Sequence, residues 1–230
     1  VGFGQSTGAG VLQGERQLDG SVLWQQGWTL PAFTQAKDIE LVGTDLYIAT
    51  FPSGLMKLDT LTASLTQISG ALHNNMDGMK LVGTDLVIGL QGNLGSSAGV
   101  QIFDTLTGTF GNGRLLAGLP SNLVNSIEVT GDEVYIGTSG GIGRWSLQTN
   151  DWLNPLTTTD GLPSNLVQDI IYESPHLWVS TPSGLVKMDT LSGSVNVLTS
   201  SNGMLGTSSW GLLKTADNVG NYQIHVSHDG

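Results

Sequence analysis

Residues 161–190, GLPSNLVQDIIYESPHLWVSTPSGLVKMDT, contain in order the parts of a small antiparallel sheet. The runs IIYE, LWVST and GLVKMDT are rich in β-branched and aromatic residues, and turns containing Ser, Pro and Gly separate them. Short runs of this kind between such turns predict strands. A weaker run, SVNVLTS, follows and predicts a fourth strand.

The same phrase returns along the chain. Nine residues separate Gly161 from Ile170, and the same step leads from Gly70, Gly118 and Gly203 to an apolar residue. A degenerate first copy starts at Leu30. The equivalent apolar positions lie 40, 48, 43 and 42 residues apart, at Ile39, Met79, Ile127, Ile170 and Leu212. Four short antiparallel strands in about forty residues describe one blade of a β-propeller.

We therefore predict an all-β, five-bladed β-propeller with four-stranded antiparallel blades, formed by residues 1–230 as one domain. No segment has the sustained 3.6-residue period of a helix. The first strands of the chain resemble strands three and four of a blade, and the last resemble strands one and two, so a composite blade would close the ring. A fragment of a larger ring is the alternative. The predicted blades are residues 30–69, 70–117, 118–160, 161–202 and a composite of 203–230 with 1–29.

Charge and composition narrow the class of partner. The chain has 19 acidic and 8 basic residues, a net charge of −11 and no cysteine. Such a surface disfavours nucleic acid and anionic membrane, and no apolar run is long enough to span a bilayer. The low content of charged residues, 12%, suggests an extracytoplasmic protein. We expect a mature protein or a part of a longer one.

The phrase in residues 161–190 resembles the repeat of the two-component-regulator propeller family, G-L-P-S/N-N-x-V followed by L-W-I-G-T, G-L and an aromatic residue with Asp. Residues 118–149 resemble it nearly as well. The resemblance implies a propeller. In that family such propellers commonly form the periplasmic sensory part of hybrid histidine kinases, although usually as seven-bladed rings. The repeat is also similar to blades of streptogramin lyase.

The candidate binding residues follow from propeller geometry. Loops between strand four and the next strand one share a face with loops between strands two and three, and binding sites fall on loops held by a rigid scaffold. The seventh residue after each aligned glycine, or after Leu30, should lie at the mouth of the channel. These position-seven residues are Lys37, Asp77, Asn125, Gln168 and Trp210. They would either bind a small polar ligand, such as a carbohydrate, or simply hydrate the channel.

Two histidines complete the candidate site. His73 occupies a loop position on the same face, and His228 with Asp229 should lie in the second turn of the composite blade. A His–Asp pair can act in acid–base chemistry. His176 is expected in a turn. The insertion at residues 91–98 breaks the repeat and is a further candidate loop.

Motifs for cofactor and metal binding are absent. The sequence has no dinucleotide or Walker motif and no zinc or EF-hand motif, so we predict no cofactor and no metal. Asp217, Asn218 and Asn221 carry enough oxygen atoms for Ca²⁺, but an ordinary hairpin is the simpler interpretation.

These observations predict a non-catalytic domain that binds a small polar ligand or a protein, as a sensory or scaffold module of a larger extracytoplasmic protein. The alternative is a lyase or hydrolase that uses His73 or His228 as base. A monomer and a blade-swapped oligomer are both compatible with the repeat.

Overall fold

The computed structural model describes residues 10–16, 22–91, 99–115, 118–206, 208–216 and 222–228. Contacts divide the chain into two compact units, one of residues 1–90 with 101–112 and one of residues 91–100 with 113–230. The insertion at 91–98 lies outside the described residues except for Gln91, and so do Asp217, Asn218, Asn221 and Asp229.

The first unit contains two four-stranded sheets and one two-stranded sheet, although the ends of β9 and β10 fall within the second unit's ranges. The paired strands are antiparallel. The orders are β1-β2, β3-β4-β5-β6 and β10-β9-β8-β7. The strands are β1 Gly10–Arg16, β2 Val22–Thr29, β3 Gln35–Val42, β4 Asp45–Phe51, β5 Gly54–Asp59, β6 Leu65–Gln67, β7 Met76–Val82, β8 Asp85–Leu90, β9 Gly99–Asp104 and β10 Thr109–Leu115.

The second unit repeats this arrangement with the orders β11-β12-β13-β14, β15-β16-β17-β18 and β19-β20. A single 3₁₀ turn, Thr158–Asp160, is the one helical element among the described residues. The strands are β11 Val124–Val129, β12 Glu133–Thr138, β13 Gly141–Ser146, β14 Asp151–Leu156, β15 Asp169–Glu173, β16 His176–Thr181, β17 Gly184–Asp189, β18 Val195–Leu198, β19 Ser209–Ala216 and β20 Tyr222–His228.

The prediction of an all-β chain with four-stranded antiparallel sheets is confirmed, since the described residues form four such sheets. The division into blades stays a prediction. The strands predicted at the two ends of the chain also form, as the pairs β1-β2 and β19-β20. Hydrogen bonding assigns β1-β2 and β19-β20 to separate sheets, so the composite blade and the count of five stay predictions.

A threonine and a glycine build the hairpin between the second and third strands. The hydroxyls of Thr50, Thr138 and Thr181 donate to the carbonyls of Gly54, Gly141 and Gly184 at 2.6, 2.7 and 2.8 Å. Each of these hydroxyl groups belongs to a fully buried residue, so the bond satisfies polar atoms that water cannot reach. The sheet with the insertion has Leu90 at the threonine position.

The glycine of this hairpin cannot carry a side chain. Gly184 has a φ of 139°, and a Cβ there would lie 2.7 Å from the carbonyl oxygen of Leu198. Gly141 has a φ of 126°, and its Cβ would lie 2.5 Å from the carbonyl oxygen of Leu156. Both the backbone conformation and the close approach of a neighbouring strand require glycine, which explains the Gly at the start of β13 and β17.

An Asp-Thr pair at the end of β5, β9 and β17 organises the turn that follows each of these strands. The Oδ1 atom of Asp189 accepts from the N–H groups of Leu191 and Ser192 at 2.9 and 2.8 Å. Asp59 and Asp104 make the same two bonds. An aspartate that bonds its own backbone two residues on is a turn-forming device, so this part of the phrase is structural.

Apolar side chains fill the space between neighbouring sheets within each unit. In the second unit, Tyr135 and Ile142 of one sheet pack with Ile170, Leu177 and Val186 of the next. In the first unit, Val11 and Trp28 of the β1-β2 pair pack against Ile48, Met56 and Leu58. Face-to-face burial of this kind is what holds adjacent blades together.

Candidate functional site

Four of the position-seven residues coincide with an irregularity that recurs in β3, β7, β11 and β19. With β15, these are the first strands of their sheets, and we call them the inner strands. The ladder register shifts between Ala36 and Asp38, so Lys37 is unpaired there. Equivalent shifts lie between Met76 and Met79, between Val124 and Ser126, and between Ser209 and Gly211. A β-bulge of this kind re-aims the side chain of the extra residue. The residues within these shifts are Lys37, Asp77, Asn125 and Trp210.

Gln168 differs in its local structure because it lies directly before β15, whose ladder is regular. Its backbone N–H donates to the carbonyl of Ser180 at 3.0 Å. The side-chain Oε1 atom is buried and accepts no hydrogen bond among the described residues. An acceptor of this kind is costly to bury without a donor.

In the first unit, the structure brings two predicted residues together. The Lys37 ammonium lies 3.5 Å from the Asp77 carboxylate, and both side chains are partly exposed. Burial raises the pKa of Asp77 above its ordinary value, while the positive charge of Lys37 opposes that rise. A partly exposed pair of this kind adds little to stability, so its two charges stay accessible for recognition.

In the second unit, backbone contacts link three predicted positions. The Asn125 side-chain amide donates to the carbonyl of Val167 at 2.7 Å, next to Gln168. The Ser180 carbonyl accepts from the Gln168 N–H, and the Ser180 hydroxyl donates to the carbonyl of Trp210 at 3.4 Å. The indole of Trp210 remains 51% exposed. Asn125, Gln168 and Trp210 thus lie on three successive sheets with a hydrogen-bonded backbone between them.

His228 belongs to the same neighbourhood as Trp210. It lies opposite Ser209 in the β19-β20 ladder, and Ser227 lies opposite Gly211, so Trp210 bulges between these two pairs. The prediction that His228 lies in a turn is wrong, because β20 extends through it. The prediction for His176 is also wrong: it starts β16 and pairs with Glu173 and Asp189.

His73 has a local structural contact. Its Nδ1 atom accepts from the backbone N–H of Asn75 at 3.2 Å. This hydrogen bond lies in the turn before β7. The ring is half-buried. A nitrogen that accepts a backbone hydrogen bond is less available as a base, so this geometry gives the hydrolytic alternative no support.

Sequence reasoning missed the polar bridges that lie one residue beyond position seven. In the second unit, the Ser126 hydroxyl donates to Oδ1 of Asp169 at 3.0 Å and accepts from the N–H of Ile170 at 3.1 Å. Oδ2 of Asp169 accepts from the N–H of Leu212 at 2.8 Å. Each bridge joins the inner strand of one sheet to the inner strand of the next.

The first unit contains the same bridge. The Asp38 carboxylate accepts from the N–H of Met79 at 2.8 Å and from the N–H of Ile39 at 2.8 Å. Burial raises the pKa of Asp38 to about 6, although the two N–H donors oppose the rise. We call Asp38, Ser126 and Asp169 the inner-strand acceptors. A polar residue eight positions after the aligned glycine in three repeats was the sequence pattern that could have revealed them.

No protein-family model matches this sequence, and no curated protein matches it. Solved structures do match. An extracellular domain of a protein assigned as a hybrid two-component system, BT3049 of B. thetaiotaomicron, aligns over 99% of this chain and 30% of its own, with a TM-score of 0.69 and 16% identity. The equivalent domain of BT4673 from the same organism aligns over 99% and 32%, with a TM-score of 0.65 and 15% identity.

A third match extends the likeness beyond these bacterial domains. Saccharomyces cerevisiae Sqt1 aligns over 96% of this chain and 65% of its own, with a TM-score of 0.64 and 12% identity. The fold is of the β-propeller type. This agrees with the fold that the repeat phrase implied. The chain spans about a third of the length of the two bacterial domains.

Among the described residues, no group of three or more His, Cys, Asp or Glu side chains is arranged to hold a metal ion. Within the same part of the chain, no helix has the length and apolar character needed to cross a membrane.

Proposed function

We propose that this chain is a non-catalytic recognition module of a larger protein, and that the position-seven residues contact its ligand. The observation that carries the proposal is a backbone irregularity that recurs in four of the five repeats and holds a different side chain in each of them. The hairpin threonine, the hairpin glycine and the turn aspartate recur because they build the sheets. Varied residues on a constant frame are what a binding surface requires.

The second unit indicates the class of ligand. The amides of Asn125 and Gln168 can donate to and accept from hydroxyl groups, and the exposed indole of Trp210 offers an apolar face. His228 pairs with Ser209, the residue before Trp210. Amides beside an aromatic face suit a small polar ligand rich in hydroxyl groups, and we propose a carbohydrate.

We further propose that the module is extracytoplasmic. Two structural neighbours are extracellular domains, and the charged fraction of 12% with only 8 basic residues is compatible with that setting. Recognition outside the cytoplasm with a readout elsewhere in a longer protein is the sensory role that these facts favour.

The proposed ring has five blades. Four sheets already have four strands each, and the two end pairs together supply the four strands of one further blade. In this proposal the position-seven residues of all five repeats belong to one face.

The test is a calorimetric titration of the chain with a panel of neutral oligosaccharides. We expect binding by the parent chain and a loss of about tenfold in affinity, or roughly 1.4 kcal/mol, in Trp210→Ala. Leu191→Ala is the matched control because Leu191 is 87% exposed in a turn after β17.

An absence of binding to the panel, or equal losses in the two variants, would contradict the proposal. Mass spectrometry of the recovered oligosaccharides separates binding from catalysis, since a cleaved product would favour the lyase or hydrolase alternative. Capture of a protein but of no saccharide would replace the proposed carbohydrate by a protein ligand.

A further inference from the structure

A separate cavity lies within the second unit, between the sheets β11-β12-β13-β14 and β15-β16-β17-β18. Its volume is about 280 Å³, close to the lower end of the range for ligand pockets in proteins. None of the position-seven residues lines it. The lining residues are Tyr135, Arg144, Leu156, Asp160, Met188, Asp189, Thr190, Gly193 and Val195.

The positive charge in this cavity is already neutralised. The Nε and Nη2 atoms of Arg144 each donate to a carboxylate oxygen of Glu133 at 2.9 Å. The guanidinium carbon also lies 5.7 Å from the centre of the Tyr135 ring. A two-pronged ion pair of this kind occupies the donors that an anion would need, so Arg144 does not make the cavity an anion site.

Two carboxylates at the cavity accept hydrogen bonds from backbone N–H and hydroxyl groups. Asp160 accepts through Oδ2 from the N–H and hydroxyl of Thr157 at 2.9 and 3.0 Å. Asp189 accepts through Oδ1 from the N–H groups of Leu191 and Ser192. Backbone donors lower the pKa of both carboxyl groups, and His176, which pairs with Asp189 in the ladder, also lowers the pKa of Asp189. Both are therefore anionic over the whole neutral range, and both are fixed in orientation by their turns.

The rest of the wall is apolar. Tyr135 and Met188 are buried, and Leu156 and Val195 are partly buried and pack against the same core. Asp160 is exposed and Asp189 is partly exposed, so the cavity combines two partly solvated negative charges with a short apolar wall. A ligand with a positive charge and a short apolar part would contact both.

We propose that this cavity binds a small organic cation, a primary ammonium group on a short alkyl chain. Asp160 and Asp189 contact the ammonium group, and Tyr135, Leu156, Met188 and Val195 contact the alkyl chain. The site is independent of the carbohydrate site proposed above, because the two share no residue.

The experiment uses the full chain and four probes of similar size: 1,4-diaminobutane, n-butylamine, 1-butanol and butyrate. Binding is followed by ¹H–¹⁵N NMR shifts in the second unit. We expect the two amines to shift residues of the cavity in a saturable way and the alcohol and the acid to have no such effect. We also expect a several-fold weaker amine affinity in 0.5 M NaCl, since a charge contact is screened by salt.

Asp189→Asn is the decisive variant, because the amide oxygen can still accept the two turn N–H groups while the charge is lost. We expect at least a fivefold loss of amine affinity, and the same for Asp160→Asn. Asp104→Asn is the matched control, since Asp104 makes the same turn contacts through Oδ1 in the first unit. Equal thermal midpoints for Asp189→Asn and Asp104→Asn show that folding is preserved. Equal amine affinity in these two variants, or equal binding of amine and alcohol by the parent chain, would overturn the proposal.

Discussion

The Asp38 carboxylate accepts a 2.8 Å hydrogen bond from the backbone N–H of Met79, a residue forty-one positions later in the chain. The bond ties the inner strand of one sheet to that of the next. It is made by a carboxyl group whose pKa burial raises to about 6. The contact therefore combines a favourable hydrogen bond with the cost of desolvating a charge.

Stability should depend on pH through Asp38. Because burial raises the pKa of Asp38 in the folded state to about 6, above its ordinary value of 3.8, the folded chain binds this proton more tightly than the unfolded chain does. The contribution is fully present below about pH 4 and is lost as pH rises through about 6. We expect the Asp38 contribution to the free energy of unfolding to fall by on the order of 2 kcal/mol from pH 4 to pH 7.

Urea unfolding at several pH values measures this effect. In Asp38→Asn the difference between pH 5 and pH 7 should shrink by the part that belongs to Asp38. Asp45→Asn serves as the control, because Asp45 lies at a partly exposed ion pair with Lys57. An unchanged pH dependence in Asp38→Asn would contradict the assignment.

Gly184→Ala should be strongly destabilising. The new Cβ would lie 2.7 Å from the carbonyl oxygen of Leu198, at a φ of 139°, so either the hairpin or the neighbouring strand must move. We expect a loss of at least about 2 kcal/mol in the free energy of unfolding. Gly193→Ala measures the cost of the positive φ alone, because Gly193 has a φ of 71° and an added Cβ would meet no atom within 4 Å. Similar losses in both variants would show that the close approach is unimportant.

Thr181→Val should also be destabilising, since it removes a buried hydroxyl that donates to the Gly184 carbonyl and accepts from the Ser183 N–H at 3.2 Å. We expect a loss of about 1–3 kcal/mol, because the backbone groups become unsatisfied in a buried place. Thr66→Val is the control, where an exposed hydroxyl donates to the Lys57 carbonyl at 3.3 Å. A chemical denaturation series compares the two, and equal effects would count against the hairpin role.

The five-bladed ring can be tested by cross-linking, since the chain has no native cysteine. If β20 and β1 are strands two and three of one blade, the pairing of β16 with β17 places His225 opposite Gln13. We expect Gln13→Cys with His225→Cys to form an intramolecular disulfide on mild oxidation, seen by non-reducing electrophoresis and peptide mapping. The two single variants are controls. A disulfide formed only between chains would indicate blade exchange, and its absence in every form would contradict the composite blade.

The repeat phrase was enough to predict the sheets because its residues build local structure. The hairpin threonine and the turn aspartate, each present in three of the four four-stranded sheets, contact neighbours within the same sheet, so their spacing carries the information. The position-seven residues were found by counting, and four of them are bulge residues because a register shift recurs at that point in the repeat.

The inner-strand acceptors leave a weaker signal in the sequence, a polar residue at position eight in three of the five repeats. Asp38, Ser126 and Asp169 contact residues of the next repeat, more than forty positions away. Their residue types differ from copy to copy, and position eight is glycine at Gly78 and Gly211. His176 was misplaced for a simpler reason: the Ser-Pro turn has only two residues, so β16 already starts at His176.

The acceptor at Asp169 and the donor at Leu212 have a consequence for how such chains can change in length. The copy that contains Asp169 provides an oxygen for its successor at Leu212 and receives one from its predecessor at Ser126. A duplicated copy inserted between them would arrive with both halves of the connection already in place. Gene duplication could thus alter the number of modules without new contacts having to evolve at the junctions.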